Sequence, residues 1–379
     1  MRNDEKKEEK MFRKFLIICF TFFLIIGCVK KKEDTIKIGI AGPMTGDQAK
    51  MGMDFRNGVT LAVEEWNNKG GVLGKKIELI IGDDQRDPKQ AVSVANKFAT
   101  QGVTGVIGHF NSNCSIPASD IYNRANIPMI TPASTNPQLT EKGYHGVFRV
   151  CGRDDQQGKV AADFVTSQLK LKKITVIHDK TIYGQGLADE FKKFLSDKAE
   201  VVYYGSIVQG DKDFKTVLTS IKQQKPELIY FGGIYPEGGL LVKQARELGL
   251  MVPFMSGDGV IDPKFVEIAG AEAAEGTYLT FSPDPDNIPS AKAFIEEYKV
   301  KFGEIGPYSV YAYDAINVML KAIEAAGTTD GTAIMDAIHS MEFSGALGNL
   351  RFDEKGDITA ASYIVWITKG GKFVEYWKP

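Results

Sequence analysis

The chain has 379 residues, more than a single hydrophobic core usually serves, so two domains are expected. Hydrophobic residues at 43% and charged residues at 25% describe an ordinary globular protein. A net charge of -2 argues against a nucleic-acid partner, which would call for a basic face, and 39 glycines and 15 prolines suit a fold with many tight strand–helix turns.

The first residues read as a leader. Met1–Lys10 is highly charged and is expected to be disordered, or to lie upstream of a true start at Met11. Met11–Lys14 is a basic n-region, and Phe15–Ile26 is apolar but too short to span a bilayer comfortably. Ile25-Ile26-Gly27-Cys28 resembles the lipobox of bacterial lipoproteins. That resemblance implies a signal region over residues 1–28, lipidation of Cys28, and a Lys-rich tether over residues 29–34. A plain signal peptide or an uncleaved anchor is the alternative. Cys114 and Cys151 then remain. They read as two buried free thiols, their spacing leaves pairing open, and no Cys/His cluster has zinc spacing.

From residue 35 onward strands and helices alternate. Thr35–Ala41 is an entering strand, and Asp54–Asn67 carries Phe55, Val59, Ala62, Val63 and Trp66 at helical spacing. Gly70-Gly71 ends that helix, Lys76–Ile81 is the next strand, and Asp87-Pro88 opens a second helix. Val103–Ile107 and Pro128–Thr131 are strands flanking a helix pattern at Ile116–Arg124. Each of these strands ends in a turn of small polar residues, Phe110-Asn111-Ser112-Asn113 and Ala133-Ser134-Thr135. Beyond the carboxyl ends of parallel strands is where such folds bind ligands. Hydroxyls there, with no basic side chain beside them, suit a carboxylate held by neutral donors. The same hydroxyls also serve as plain helix caps.

Val147–Val150 is a short strand, and Gly152-Arg153-Asp154 reads as a crossing between domains. A second alternating series follows, with strands at Lys173–His178, Val201–Val208, Leu228–Phe231, Phe254–Ser256 and Gly276–Phe281. Helices at Leu187–Ser196, Phe214–Gln224 and Gly239–Leu248 separate them. Ser282–Pro285 breaks the chain as a second crossing would. Helix patterns at Ala291–Phe302, Val310–Ala326 and Ala333–Ser340 come next, then strands at Leu350–Phe352 and Ser362–Thr368, with Lys372–Glu375 pairing back through Gly370-Gly371. The repeated alternation argues for two similar α/β lobes.

Catalytic motifs are weak. Gly70–Lys75 lacks the glycine spacing of a phosphate loop, the turn after the first strand lacks GxGxxG, and no GxSxG elbow is present. His109 has no nucleophile placed beside it and reads as a packing or hydrogen-bonding residue. Asp83, Asp84 and Asp87 read as a solvated strand end with capping carboxylates rather than a metal cluster.

Several runs in order resemble one family: GPMTGDQAKMGMDFRNGVTLAVEEWNNKGGVLGKKIELIIGDDQRDPKQAVSVANKF, VIGHFNSNCSIPASDIYNRANIPMITPAST, HDKTIYGQGLADEF, YFGGIYPEGGLLVKQARELGL, FMSGDGV and RFDEKGD. These are similar to the Liv-type substrate-binding proteins of branched-chain amino-acid ABC transporters. The resemblance implies the α/β type I periplasmic-binding-protein fold, with two doubly wound parallel-sheet lobes, three crossings and the ligand between the lobes. Lobe one would be residues 35–152 plus 283–355, and lobe two residues 153–282 plus 360–379.

By the same resemblance Ser112 holds the ligand carboxylate, with Asn111 beside it in the same turn. Thr135 holds carboxylate and ammonium, the Ala133 carbonyl accepts from the ammonium, Tyr183 reaches across from lobe two, and Asp258 pairs with the ammonium. Asp258 stands where the best-known members have Glu, while Ile234 (followed by Tyr235) and Met51 stand where tyrosines are common. Phe110 and Tyr308 keep an apolar wall. The implied protein is an extracytoplasmic, lipid-anchored monomer, not an enzyme. It uses no cofactor or metal and passes Leu, Ile or Val to a membrane permease by hinge closure. Competing readings are a binding protein or sensor for an amide, urea or aromatic acid, a nucleotide-using α/β enzyme, and a structural surface lipoprotein.

Overall fold

The computed structural model describes residues 7–11 and 34–379. Residues 7–11 are helical. The expected apolar leader and Cys28 lie outside the described residues. Among the described residues no helix is long and apolar enough to cross a membrane.

The first sheet is built from β1 (Ile36–Gly42), β2 (Ile77–Asp83), β3 (Gly105–Gly108), β4 (Met129–Thr131) and β5 (Val147–Arg149). Its order is β2-β1-β3-β4-β5, and every neighbouring pair is parallel. Helices Ala49–Asn68, Pro88–Gln101 and Ser112–Arg124 connect the strands. Ile36, Ile38, Ile40 and Ala41 are all buried, as a central strand covered on both faces requires. Gly39 lets the helix Pro88–Gln101 close onto that strand, because a Cβ there would stand 2.6 Å from the Phe98 ring.

The second sheet holds β6 (Lys173–His178), β7 (Glu200–Ser206), β8 (Leu228–Gly232), β9 (Phe254–Ser256) and β10 (Tyr278–Phe281). It runs β7-β6-β8-β9-β10, the winding of the first sheet repeated. Helices Ile182–Leu195, Lys215–Gln223 and Tyr235–Glu247 join its strands. Beyond β10 the chain leaves this sheet for helices Lys292–Phe302, Ser309–Ala326 and Gly331–Ser340 and a hairpin of β11 (Phe343–Gly345) and β12 (Gly348–Leu350). The helix Ser309–Ala326 lies on Ala49–Asn68 so closely that a Cβ at Gly58 would stand 2.3 Å from the Ser309 carbonyl oxygen. The Trp66 indole N–H donates to Asn317 across the same contact (2.8 Å). The chain then returns to the second sheet as β13 (Ile364–Lys369) and β14 (Lys372–Trp377).

The backbone thus passes between the two sheets three times: after β5, after β10 and after β12. The first two passages fall where the sequence breaks. The third is not legible, since residues 351–363 carry no Pro/Gly cluster of comparable strength.

Three details differ from expectation. The second sheet is mixed, because β13 runs antiparallel to β10 and β14 antiparallel to β13. Leu350–Phe352 is no strand of a main sheet. Gly348–Leu350 closes the small hairpin, and Phe352 makes only an isolated bridge to Ile358. A helix at Asp154–Asp163, widened into a π-turn over Phe164–Gln168, fills a stretch whose sequence shows no clear helical pattern. The buried face of this helix is Asp154, Gln157, Gly158, Ala161 and Ala162, all polar or small, so no apolar period marks it.

Asp314 ties the hairpin to the helix beneath it. Its buried carboxylate accepts from the backbone N–H groups of Ala346 (2.9 Å) and Leu347 (2.7 Å). Burial raises its pKa to about 7, against the pull of those two donors. The folded state therefore holds this proton more tightly than the unfolded chain, so this group's contribution to stability falls as pH rises from about 4 to about 7. Asp314→Asn should flatten that loss. The difference between variant and wild-type stability, measured by urea melts, should move in the variant's favour from about pH 5 to about pH 8.

Candidate functional site

In this winding order the strand sequence reverses direction between β1 and β3, and again between β6 and β8. A crevice opens beyond the carboxyl ends of strands at each such point. The two crevices face one another. Gln48 and Met51 follow β1, Phe110, Asn111 and Ser112 follow β3, Tyr183 follows β6, and Ile234 follows β8. Together with Ala133, Asp258, Gly259 and Tyr308 they line one narrow cavity.

The loop after β4 is fixed by a fully buried arginine. Arg149 donates from Nη1 to the carbonyls of Ser134 (2.7 Å) and Asn136 (3.1 Å), and from Nη2 to the Thr140 hydroxyl (2.7 Å). Its Nε donates to Asp357, whose other oxygen accepts from Arg153 (2.6 Å). The planar fork with its fixed donors is thus spent on backbone carbonyls, one hydroxyl and one carboxylate. Ala133 is presented to the cavity by this clamp. Thr135 is buried in the same loop but does not line the cavity, and its hydroxyl makes no well-formed hydrogen bond. Its carbonyl accepts from the Asp154 N–H (2.9 Å).

At the start of the helix Ser112–Arg124, the Asn111 side chain does not cap. First-turn N–H groups therefore lack a side-chain acceptor, the condition under which a helix start holds an anion. Ser112 Oγ accepts from the Asn136 N–H (3.3 Å), joining the two turns singled out in the sequence.

Asp258 is the most constrained group. It is 3% exposed. One carboxyl oxygen accepts from Tyr183 (2.8 Å) and from the Gln157 amide (2.8 Å), and the other accepts from Tyr308. Its own N–H donates to Gln157 Oε1 (2.7 Å), and Gly259 N–H donates to the Tyr183 oxygen (2.9 Å). Every donor is neutral, and no ion pair among the described residues includes Asp258. Burial pushes its pKa up despite the donors from Tyr308, Gln157 and Tyr183. Asp154, fully buried nearby, is pushed well above the ordinary carboxylate range by burial and by the Asp258 charge. One Asp154 oxygen accepts weakly from Gln157 (3.3 Å), and the other has no well-formed partner.

Tyr235 stands apart from the cavity. Its hydroxyl donates to the Asp47 carbonyl (2.6 Å) at the outer edge, where Lys212 also meets Asp47 (3.1 Å). Asn136 Nδ2 donates to the Ile182 carbonyl (2.9 Å), a further bond between loops of the two sheets. Tyr308 is more than the apolar wall expected of it, because its hydroxyl reaches across to Asp258.

Elsewhere the structural roles expected of the polar residues mostly hold. His109 is buried between Asp84 (2.7 Å) and the Tyr122 hydroxyl (2.9 Å). Asp87 caps its helix through the Lys89 and Gln90 N–H groups (2.6 and 3.0 Å). Asp84, expected to be solvated, is instead fully buried against His109. Cys114 and Cys151 are buried free thiols. No group of three or more His, Cys, Asp or Glu residues among those described is arranged to hold a metal.

Sequence reasoning missed Gln48, Gln157, Asp154 and Arg149. Gln48 sits in a loop whose glycines carry the only strong local signal. The others lie in, or just before, the helix whose buried face is polar or small.

This cleft between two similarly wound sheets is that of a periplasmic binding protein, and the chain belongs to that family. The family model described as periplasmic binding protein matches residues 35–372. An amino acid binding protein of Pseudomonas aeruginosa is 42% identical over 96% of this chain and 98% of its own length. The Leu/Ile/Val-binding protein homolog 1 of Brucella suis is 43% identical over 90% of this chain and 92% of its own. The branched-chain amino acid transporter substrate-binding protein of Streptococcus pneumoniae, solved with isoleucine, superposes with a TM-score of 0.82 at 31% identity, covering 90% of this chain and 100% of that one.

Removing one partner of a buried ion pair strands the other. Arg149→Met should cost about 3–5 kcal/mol of folding stability. A denaturant melt at neutral pH checks this, and a loss below about 1 kcal/mol would show that the clamp is dispensable.

Proposed function

We propose that this protein is an extracytoplasmic binding protein that captures an amino acid, with Leu, Ile or Val favoured by the names of its relatives, and delivers it to an ABC permease. One observation carries the reading: a carboxyl group sealed in the cavity with hydroxyl and amide donors but no cation. A ligand ammonium would supply the missing positive charge at Asp258. The uncapped helix start at Ser112 would take the carboxylate. The Ala133 carbonyl lies in the adjoining loop for the ammonium, while the Thr135 hydroxyl, set behind the cavity wall, would have to turn inward to meet the carboxylate and ammonium. Charge-assisted bonds of this kind contribute about 1.5–3 kcal/mol each. The side chain would extend toward Met51, Phe110 and Ile234.

Residues 35–152 plus 283–355 form lobe one of this reading, and residues 153–282 plus 360–379 form lobe two. Ligand docks on lobe one and lobe two swings over it, adding Tyr183 and Asp258. The Tyr308–Asp258, Asn136–Ile182 and Tyr235–Asp47 contacts fasten the closed arrangement. That closed face is what a permease would recognise. The chain acts as a monomer, without catalytic activity, tethered by lipid on Cys28.

Asp258→Asn keeps the shape and removes the charge. Amino-acid affinity, read by isothermal titration against leucine, isoleucine and valine, should weaken by about 2 kcal/mol or more, roughly thirtyfold. The unliganded variant should melt no lower than wild type, because the lost charge has no countercharge in the empty cleft. Unchanged affinity would remove Asp258 from the site. Affinity should also weaken as pH falls toward the raised Asp258 pKa, since the ammonium needs the ionised acid.

A further inference from the structure

Two amides at the cavity wall are out of their usual employment. Gln48 and Asn111 are the N-cap residues of helices Ala49–Asn68 and Ser112–Arg124, and neither side chain caps its helix. Asn is among the strongest N-caps, so the loss of that bond calls for another use of the side chain. Instead the two amides pair with each other across the cavity wall, Asn111 Nδ2 donating to Gln48 Oε1 (2.9 Å). Gln48 is 1% exposed, and the partner of its own amide nitrogen is the Met51 sulfur at 3.6 Å, a weak acceptor. Asn111 Oδ1 is buried with no partner at all. Reversing both amides leaves the same balance: one N–H donor and one carbonyl acceptor remain unsatisfied beside the cavity.

We infer that Gln48 and Asn111 form a specificity clamp for a small hydroxyl-bearing amino acid of threonine's shape. A hydroxyl both donates and accepts, so one group satisfies the pair, while the adjoining methyl meets Met51 and Phe110. An aliphatic side chain of the same size leaves that donor and that acceptor buried and unsatisfied, which is costly. A site that hydrogen-bonds a hydroxyl rejects the analogue lacking it far more strongly than an apolar pocket rejects an added one. The clamp rests on the amino-acid reading above and replaces its Leu, Ile or Val preference with a hydroxyl-bearing side chain.

Threonine and valine are near-isosteric and differ at this one group. Titration of the full chain with L-threonine and L-valine should give a tighter Kd for threonine, by about tenfold. In Gln48→Leu and in Asn111→Ala the threonine-to-valine affinity ratio should fall about tenfold. A role confined to folding would weaken both ligands alike and leave the ratio where it was, which overturns the clamp. Valine binding as tightly as threonine in wild type also overturns it, whatever the variants do, and leaves the amino-acid reading standing. Failure of both ligands to bind, with leucine and isoleucine silent as well, overturns the two together.

Discussion

A carboxylate sealed from water without a cation is the condition around which this molecule is arranged. Asp258 sits among Tyr183, Tyr308 and Gln157, which lower its energy but bring no positive charge. Hydrogen bonds from neutral donors offset only part of the desolvation of an ion. The raised pKa records the remainder. Those donors come from different parts of the fold. Tyr183 opens a helix of the second sheet, Tyr308 precedes a helix packed on the first, and Gln157 lies just past the passage between them. A single acid therefore senses whether both halves are in place.

The rest of the architecture supplies the faces that meet there. One winding order, used twice, produces two crevices that confront each other. In the proposed reading the first half supplies the helix start at Ser112 and the carbonyl of Ala133, and the second adds the acid. Arg149 makes the first half rigid from within by holding the carbonyls of Ser134 and Asn136, so the loop does not depend on ligand for its shape. Polar groups left incomplete around the cavity, at Thr135, Asp154 and Asn111, mark where the protein stops satisfying itself.

Much of this is readable from residues alone, for a physical reason. Strands buried on both faces, such as Ile36–Gly42 and Leu228–Gly232, are nearly unbroken apolar runs, and the glycine and proline breaks between them are strong signals. The turns after β3 and β4 stand out because small polar residues cluster there, at strand ends where ligands are expected. Four features are hidden. The helix Asp154–Asp163 buries polar and small residues, so no apolar period announces it. The antiparallel return of β13 beside β10 is a long-range pairing with no local signature. The outward turn of Tyr235, beside an inward Ile234, depends on where its helix begins, and sequence periodicity fixes that least well. Arg149 is the sharpest case, since nothing in a lone arginine announces that it will be fully buried.

The position of β13 and β14 bears on how the molecule comes into being. Val365 is wholly buried in the second sheet, beside strands made far earlier in the chain. The first sheet likewise waits for the distant helix Ser309–Ala326 to cover the helix Ala49–Asn68. Neither half is a continuous stretch of chain, so neither is finished when its own first strands have been made. A polypeptide emerging from its amino end leaves the first sheet uncovered until that helix arrives and the second open until β13 and β14 arrive. Completion of this kind ties the stability of each half to segments made late in synthesis.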